Sequence, residues 1–191
     1  MLSILVGLLT LSFAGCSVHG VWYHPNASVG HATSHECQAA GKDDEWKLER
    51  EKVVFYISPS YPVSVAPPGI AIIAIVPVGR VVKISVEDLR VYGSKGEALK
   101  GEIYLSALNN AGVHAIKEKL PTKTLALAGS KLANERSPKT SYYFGIRLQE
   151  MPSPSFFVLL PSMEVNGHIY PPLKIRFTKK PGQYFVMGIN C

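Results

Sequence analysis

The side chains best suited to chemistry crowd the first stretch of the chain. His19, His24, His31 and His35 follow one another closely, and Glu36 and Cys37 come directly after them. Neutral imidazole is the commonest metal-ligand side chain, and a pliable segment can wrap a Cu or Zn ion with several of them. His31 and His35 would share a face if that piece were helical. Their spacings match no established site, so ordinary polar linker residues are the plainer expectation and a Cu/Zn-binding periplasmic protein the alternative. His35-Glu36-Cys37-Gln38-Ala39 opens like the zinc-protease helix, but Ala39 stands where the second histidine belongs. No Gly-x-Ser-x-Gly elbow, phosphate-cradling glycine loop or dinucleotide fingerprint occurs. Glu87-Asp88, inside strand-like sequence, reads as a turn or strand end rather than an acid–base pair. His168, beside Asn166-Gly167, reads as a turn-flanking polar residue. Tyr142, Tyr143 and Phe144, with Phe156 and Phe157, offer a platform for carbohydrate or peptide, yet strand alternation turns about half of such residues into the core. No catalytic residue is assigned, no cofactor is expected, and no small-molecule substrate is indicated.

The other chemically distinctive feature is the leader. Residues 1–14, MLSILVGLLTLSFA, form an unbroken apolar run. A membrane-spanning helix needs about 20 residues, whereas a signal-peptide core is shorter. Ala14-Gly15-Cys16-Ser17 follows. Small residues before a cysteine, directly after an apolar run, resemble the lipobox of bacterial lipoproteins. The resemblance covers only these first residues. It implies a signal peptide over 1–15, cleavage before Cys16, and a diacylglyceryl group on that thiol with palmitate-type acyl chains. Ser17, with no Asp there, implies outer-membrane retention with the domain facing the periplasm or the surface. If lipid occupies Cys16, then Cys37 and Cys191 are left, an even number able to pair in an oxidising periplasm. The chain-entropy model gives so long a closed loop roughly 4–5 kcal/mol. Free thiols or pairing between chains stay open as alternatives, and Cys37 in a disulfide cannot also ligate a metal. Residues 16–41, polar and containing Gly20, Pro25 and Gly30, read as a flexible tether behind the lipid.

Charge says what such a domain would attract. The chain has 191 residues, 47% of them hydrophobic, enough for one domain with a real core. The formal net charge is +6, the first 41 residues hold no Lys or Arg, and basic residues clearly outnumber acidic ones from Lys117 to Lys180. A basic half is drawn to anionic surfaces: lipid headgroups, cell-wall polymers or an acidic protein. Solubility alone also accounts for a modest excess. The cations form no dense run, so nucleic acid is not an expected partner.

The elements that must carry these residues are strands. Val53, Phe55 and Ile57 alternate in KVVFYIS, Val82, Ile84 and Val86 alternate against Lys83 and Ser85, and Leu173, Ile175 and Phe177 alternate with Lys174, Arg176 and Thr178. Residues 70–76, IAIIAIV, are apolar on both faces and suit a central strand. Tyr142–Leu148 and Ser155–Leu160 are further strands, and Asn166-Gly167 is a two-residue hairpin signal. Only Asp43–Lys52 and Val113–Leu120 compete for helix. The expected fold is all-β, an immunoglobulin-like or related two-layer β-sandwich over residues 42–191. The expected role is an envelope-tethered binding or structural module for a protein or cell-envelope partner, with membrane contact through the lipid. An inhibitor or immunity protein is one variant of that role. An enzyme acting on envelope polymers would need a concave site that spacing alone does not reveal.

Overall fold

Period-two burial runs through most of the described strands. The computed structural model describes residues 16–34, 43–60, 68–108, 118–119, 124–129, 139–152 and 154–186. Among these are β1 (Cys16–Asn26), β2 (His31–Thr33), β3 (Glu45–Arg50), β4 (Val53–Ser60), β5 (Gly69–Pro77), β6 (Val81–Ser85), β7 (Arg90–Gly93) and β8 (Gly101–Leu108). There follow β9 (Glu118–Lys119), β10 (Thr124–Ala128), β11 (Lys139–Leu148), β12 (Ser155–Leu160), β13 (Met163–Val165), β14 (His168–Tyr170) and β15 (Leu173–Val186). The fold is all-β, with antiparallel sheets packed as a β-sandwich.

One layer is a seven-stranded sheet in the order β2-β3-β4-β5-β11-β8-β9. Every second residue of β4 and β5 is buried: Val53, Phe55 and Ile57, then Ile70, Ile72, Ala74 and Val76. β5 lies at the centre of this sheet, and its outward Ala71, Ile73 and Ile75 are half-buried. In register beside them stand Val54 and Tyr56 on β4 and Tyr143 on β11. The continuous apolar run of β5 therefore serves two apolar faces, as a central strand does.

The other layer consists of two four-stranded sheets, β1-β15-β12-β7 and β10-β6-β13-β14. Three of their four strands correspond, β15-β12-β7 to β14-β13-β6, because three chain segments each contribute to both, and β1 and β10 are added at opposite ends. β12 runs into β13 through Pro161-Ser162, β14 into β15 through Pro171-Pro172, and β6 into β7 through a single 3-10 turn at Val86–Asp88. Proline lacks the N–H that a ladder needs, and a 3-10 turn tightens the chain, so all three interruptions bend the layer along one line. Both halves deliver residues to a shared core: Val82, Ile84, Met163 and Val165 from one, Val91, Phe156, Val158, Ile175 and Phe177 from the other. At the Asn166-Gly167 hairpin both residues have positive φ, 49° and 91°, as its two-residue turn requires.

The structure corrects the expected tether. Cys16–Asn26 is an eleven-residue strand paired along its whole length with β15, from Cys16 opposite Val186 to Asn26 opposite Arg176. Val18, Val21, Trp22 and Tyr23 are good strand formers, and the long last strand supplies the edge they need. Trp22 and Tyr23 are buried, and Tyr23 packs edge-to-face on Phe156 with ring centroids 5.0 Å apart. Residues 31–33 form β2, and the Trp46 indole donates to the Val29 carbonyl at 3.0 Å, pinning the connection between β1 and β2. Residues 35–42, the rest of that expected tether, lie outside the described residues. Within Asp43–Lys52, Glu45–Arg50 is strand and not helix, its buried Trp46 and Leu48 showing the period-two reading. Of Val113–Leu120, only Glu118–Lys119 is described, as a strand.

Beyond Thr178 no third described strand continues the β1–β15 pair, since β12 ends its pairing there. The eight residue pairs from Tyr23–Lys179 to Cys16–Val186 thus form a two-stranded ribbon, ~25 Å long at the usual strand rise. Gly182 lies under the Trp22 ring, where a Cβ would collide with it.

Two measurable consequences follow. Phe156 is fully buried between Tyr23 and Phe177, the latter stacked on it at 5.0 Å and 11°. Phe156→Ala should destabilise the protein by about 3–5 kcal/mol in urea unfolding, and a loss below about 1 kcal/mol would contradict this packing. Burial raises the pKa of Tyr23, Tyr104 and Tyr143. For Tyr104 the Arg147 guanidinium opposes the rise and Tyr143 adds to it; for Tyr143 the Glu45 carboxylate adds to burial. The neutral phenols are therefore favoured in the folded state. That contribution is intact below tyrosine's ordinary value of about 10 and is lost as pH climbs through the higher folded values. Absorbance titration should show these three ionising above tyrosine's ordinary value of about 10, with stability falling on the alkaline side.

Candidate anion-binding face

Sorting charge by sheet separates the two layers. The seven-stranded layer mixes signs, with Glu45, Lys47, Glu49 and Arg50 on β3 alone. The sheet β10-β6-β13-β14 contains the Lys83–Glu164 pair, Nζ to Oε1 at 2.9 Å. The sheet β1-β15-β12-β7 carries Arg90, Lys174, Arg176, Lys179 and Lys180 and not one Asp or Glu within its strands.

Strand alternation puts most of these cations on one side. β15 buries Leu173, Ile175 and Phe177, so Lys174, Arg176 and Lys180 occupy the outward positions, and all three are exposed. β12 buries Phe156, Val158 and Leu160 and turns Phe157 and Leu159 outward, half-buried. In register, Arg176 lies opposite Phe157 and Phe157 opposite Tyr92, while Lys174 lies opposite Leu159 and Leu159 opposite Arg90. Phe157 is flanked by both cations of the central strand. Lys174 Nζ is 4.0 Å from its ring centroid and Arg176 Cζ 5.7 Å. The negative face of the ring attracts each cation by about 0.5–1 kcal/mol at such exposed sites. It orders them without cancelling their charge, as a carboxylate would. Among the described residues no carboxylate forms an ion pair with Lys174, Arg176, Lys179 or Lys180. Arg90 is held by backbone carbonyls, those of Glu87 and Leu89.

A second polar cluster sits at the opposite end of the chemistry: fully neutralised. Glu51 and Lys52 form the two-residue β3–β4 turn, both at positive φ, 48° and 70°. This backbone costs about 1–2 kcal/mol for each non-glycine residue. The Glu51 carboxylate offsets it by joining three turns. Its Oε2 accepts from Arg80 Nη1 at 3.3 Å and Asn166 Nδ2 at 3.1 Å, and its Oε1 from Tyr170 OH at 3.4 Å. His168 Nδ1 lies 3.2 Å from the same Oε1. Asn166 in turn exchanges bonds with Val81, its Oδ1 accepting the Val81 N–H at 3.0 Å. A carboxylate offers about four acceptor positions, and four groups surround this one, so it acts as a clamp between the β3–β4, β5–β6 and β13–β14 turns. His168 is thus more than a turn-flanking residue, since its ring reaches across to the other layer.

Of the histidines of the first stretch, His19, His24 and His31 lie on described strands. His19 and His24 lie in β1 opposite Gln183 and Thr178, an odd number of residues apart, and so at positions on opposite sides of the sheet. His24 Nδ1 contacts the Asp43 carbonyl at 3.1 Å, and His31 is exposed on β2. His35, Cys37 and Cys191 lie outside the described residues. Among the described residues no group of three or more His, Cys, Asp or Glu side chains is placed to hold a metal ion. Glu87 and Asp88 occupy the 3-10 turn, with Ser85 Oγ donating to Asp88 Oδ2 at 2.7 Å. The aromatic set divides by alternation: Phe144 and Phe156 enter the core, Tyr142 bonds the Ala128 backbone across to β10, and Tyr143 and Phe157 lie half-buried on the outer faces.

Searches of protein-family models, curated proteins and solved structures produced no match to this chain.

Removing the Glu51 carboxylate should expose its clamp role. Glu51→Ala leaves Arg80, Asn166 and Tyr170 without their shared acceptor and should lower stability by about 1–3 kcal/mol. Lys52→Gly relieves the turn and should raise it by about 1 kcal/mol. Denaturant melts of the two variants moving in the same direction would contradict this account.

Proposed function

We propose that the protein is an envelope-tethered lipoprotein whose β-sandwich is a binding module for an anionic envelope partner. The observation that carries the binding half is the sheet of Arg90, Lys174, Arg176, Lys179 and Lys180 with no acidic residue of its own. Exposed cations held over an aromatic ring, with no carboxylate partner among the described residues, direct their field outward. The tethering half rests on Ala14-Gly15-Cys16 after the apolar run. Anchoring by one acyl chain is marginal, whereas several chains, or one chain with a basic patch, hold firmly. No catalytic role is assigned to the Glu51 cluster, because its carboxylate is already surrounded by donors.

Intact-mass analysis of the protein extracted from bacterial envelopes should find a mature chain starting at Cys16 and heavier by a diacylglyceryl group plus an amide-linked acyl chain. Cys16→Ser should retain residues 1–15 uncleaved. An unmodified Cys16 preceded by the intact leader would refute the anchor. Envelope extracts passed over the immobilised protein should yield an anionic component whose retention weakens with salt, and salt-insensitive capture would refute the electrostatic basis of binding.

A further inference from the structure

We infer that the partner of the acid-free sheet is the anionic headgroup plane of a phospholipid bilayer, against which the outer face of β1-β15-β12-β7 lies flat. This rests on the proposed binding role of that face and names its occupant.

Four features of the face select a planar surface. The cations do not converge. Lys174, Arg176 and Lys180 share one face of an extended strand, roughly 7 Å from 174 to 176 and roughly 13 Å from 176 to 180, and Arg90 lies two strands away, roughly 10 Å across the sheet. A single small anion needs donors aimed at one point, whereas an array in one plane fits an array of phosphates. The half-buried Phe157, Leu159 and Tyr92 lie among the cations in the same rows. Rings with one apolar side and neighbouring charges suit the boundary between acyl chains and headgroups. Phe157 holds Lys174 and Arg176 at 4.0 and 5.7 Å while leaving their charge uncancelled.

The fourth feature is the register of the ribbon. Asn26, His24, Trp22, Gly20, Val18 and Cys16 pair with Arg176, Thr178, Lys180, Gly182, Tyr184 and Val186. Counted along the pleat, position 16 belongs to the row that contains Arg176 and Lys180, so the strand that would carry the anchor is itself one of the four strands of this sheet.

The test uses the full-length chain with Cys16→Ser, which cannot be acylated there, bound to phosphatidylcholine vesicles with and without added phosphatidylglycerol. The readout is the ratio of the two affinities, so any insertion of the apolar leader cancels. The ratio should exceed about 10 at low salt and fall as salt is added, since screening shortens the reach of exposed charges. Lys174→Glu, Arg176→Glu and Lys180→Glu together should remove the preference. The gentler set of Lys174→Gln, Arg176→Gln and Lys180→Gln, with circular dichroism unchanged, should reduce it at about 5-fold per residue, up to its complete loss. Equal binding to both vesicle types overturns the inference, as does a preference that survives the Gln set. Binding of soluble polyphosphate without any vesicle preference also overturns it, in favour of a polymer. The assay is independent of acylation. A vesicle preference with an unmodified Cys16 would refute the lipid anchor alone, and an acylated Cys16 without vesicle preference would refute the headgroup surface alone.

Discussion

The pairing of the first strand with the last governs this fold. β1 and β15 run antiparallel over eleven residue pairs and bring together parts of the chain more than 150 positions apart. Without that ladder Tyr23 would have no place on Phe156, the aromatic stack Tyr23–Phe156–Phe177 would lose one side, and the acid-free sheet would lose its outer strand. Such a contact closes the largest loop the chain possesses, so its entropy must be offset by local burial. Tyr23 provides it on the core side, and Trp22, lying over Gly182 on the other face of the ladder, is buried as well.

The second layer shows how a few residues shape a sheet without ending it. Pro161, Pro171-Pro172 and the turn at Val86–Asp88 interrupt three neighbouring strands at one level. The layer bends there yet keeps its strand order on both sides, which lets one core of Val82, Val165, Val158 and Ile175 run past the bend. The Glu51 clamp stands near the end of the half that carries β13 and β14, where it holds the hairpin to the facing layer. Among the described residues the acid-free half has no comparable clamp and no carboxylate paired with its outer lysines or Arg176.

Much of the strand content was legible because alternation is local: Val53–Ile57, Val82–Val86 and Leu173–Phe177 declare themselves within five residues. Residues 16–26 were read as tether for the converse reason. Their partner is at the far end of the chain, and a stretch with Gly20, His24 and Pro25 shows its strand character only once that edge is supplied. The same logic applies to the site. Lys174 and Arg176 were visible as the solvated face of a strand. That their neighbours on β1, β12 and β7 all lack carboxylates depends on strand order, which no local pattern encodes. Glu51 was invisible for a further reason: its importance comes from a turn at positive φ meeting Asn166 and Tyr170, over a hundred residues distant.

The terminal ladder also sets an order of events. During synthesis the strand at the start of the domain must wait for nearly the entire remaining chain before its partner exists. Through that interval it carries an eleven-residue row of backbone donors and acceptors looking for a complement, and the nearest substitute is the closing strand of another copy. The architecture thus favours slow solitary maturation over crowding, and a copy clipped within its final dozen residues becomes an acceptor for a neighbour's tail, a seed for exchanged dimers and chains of them.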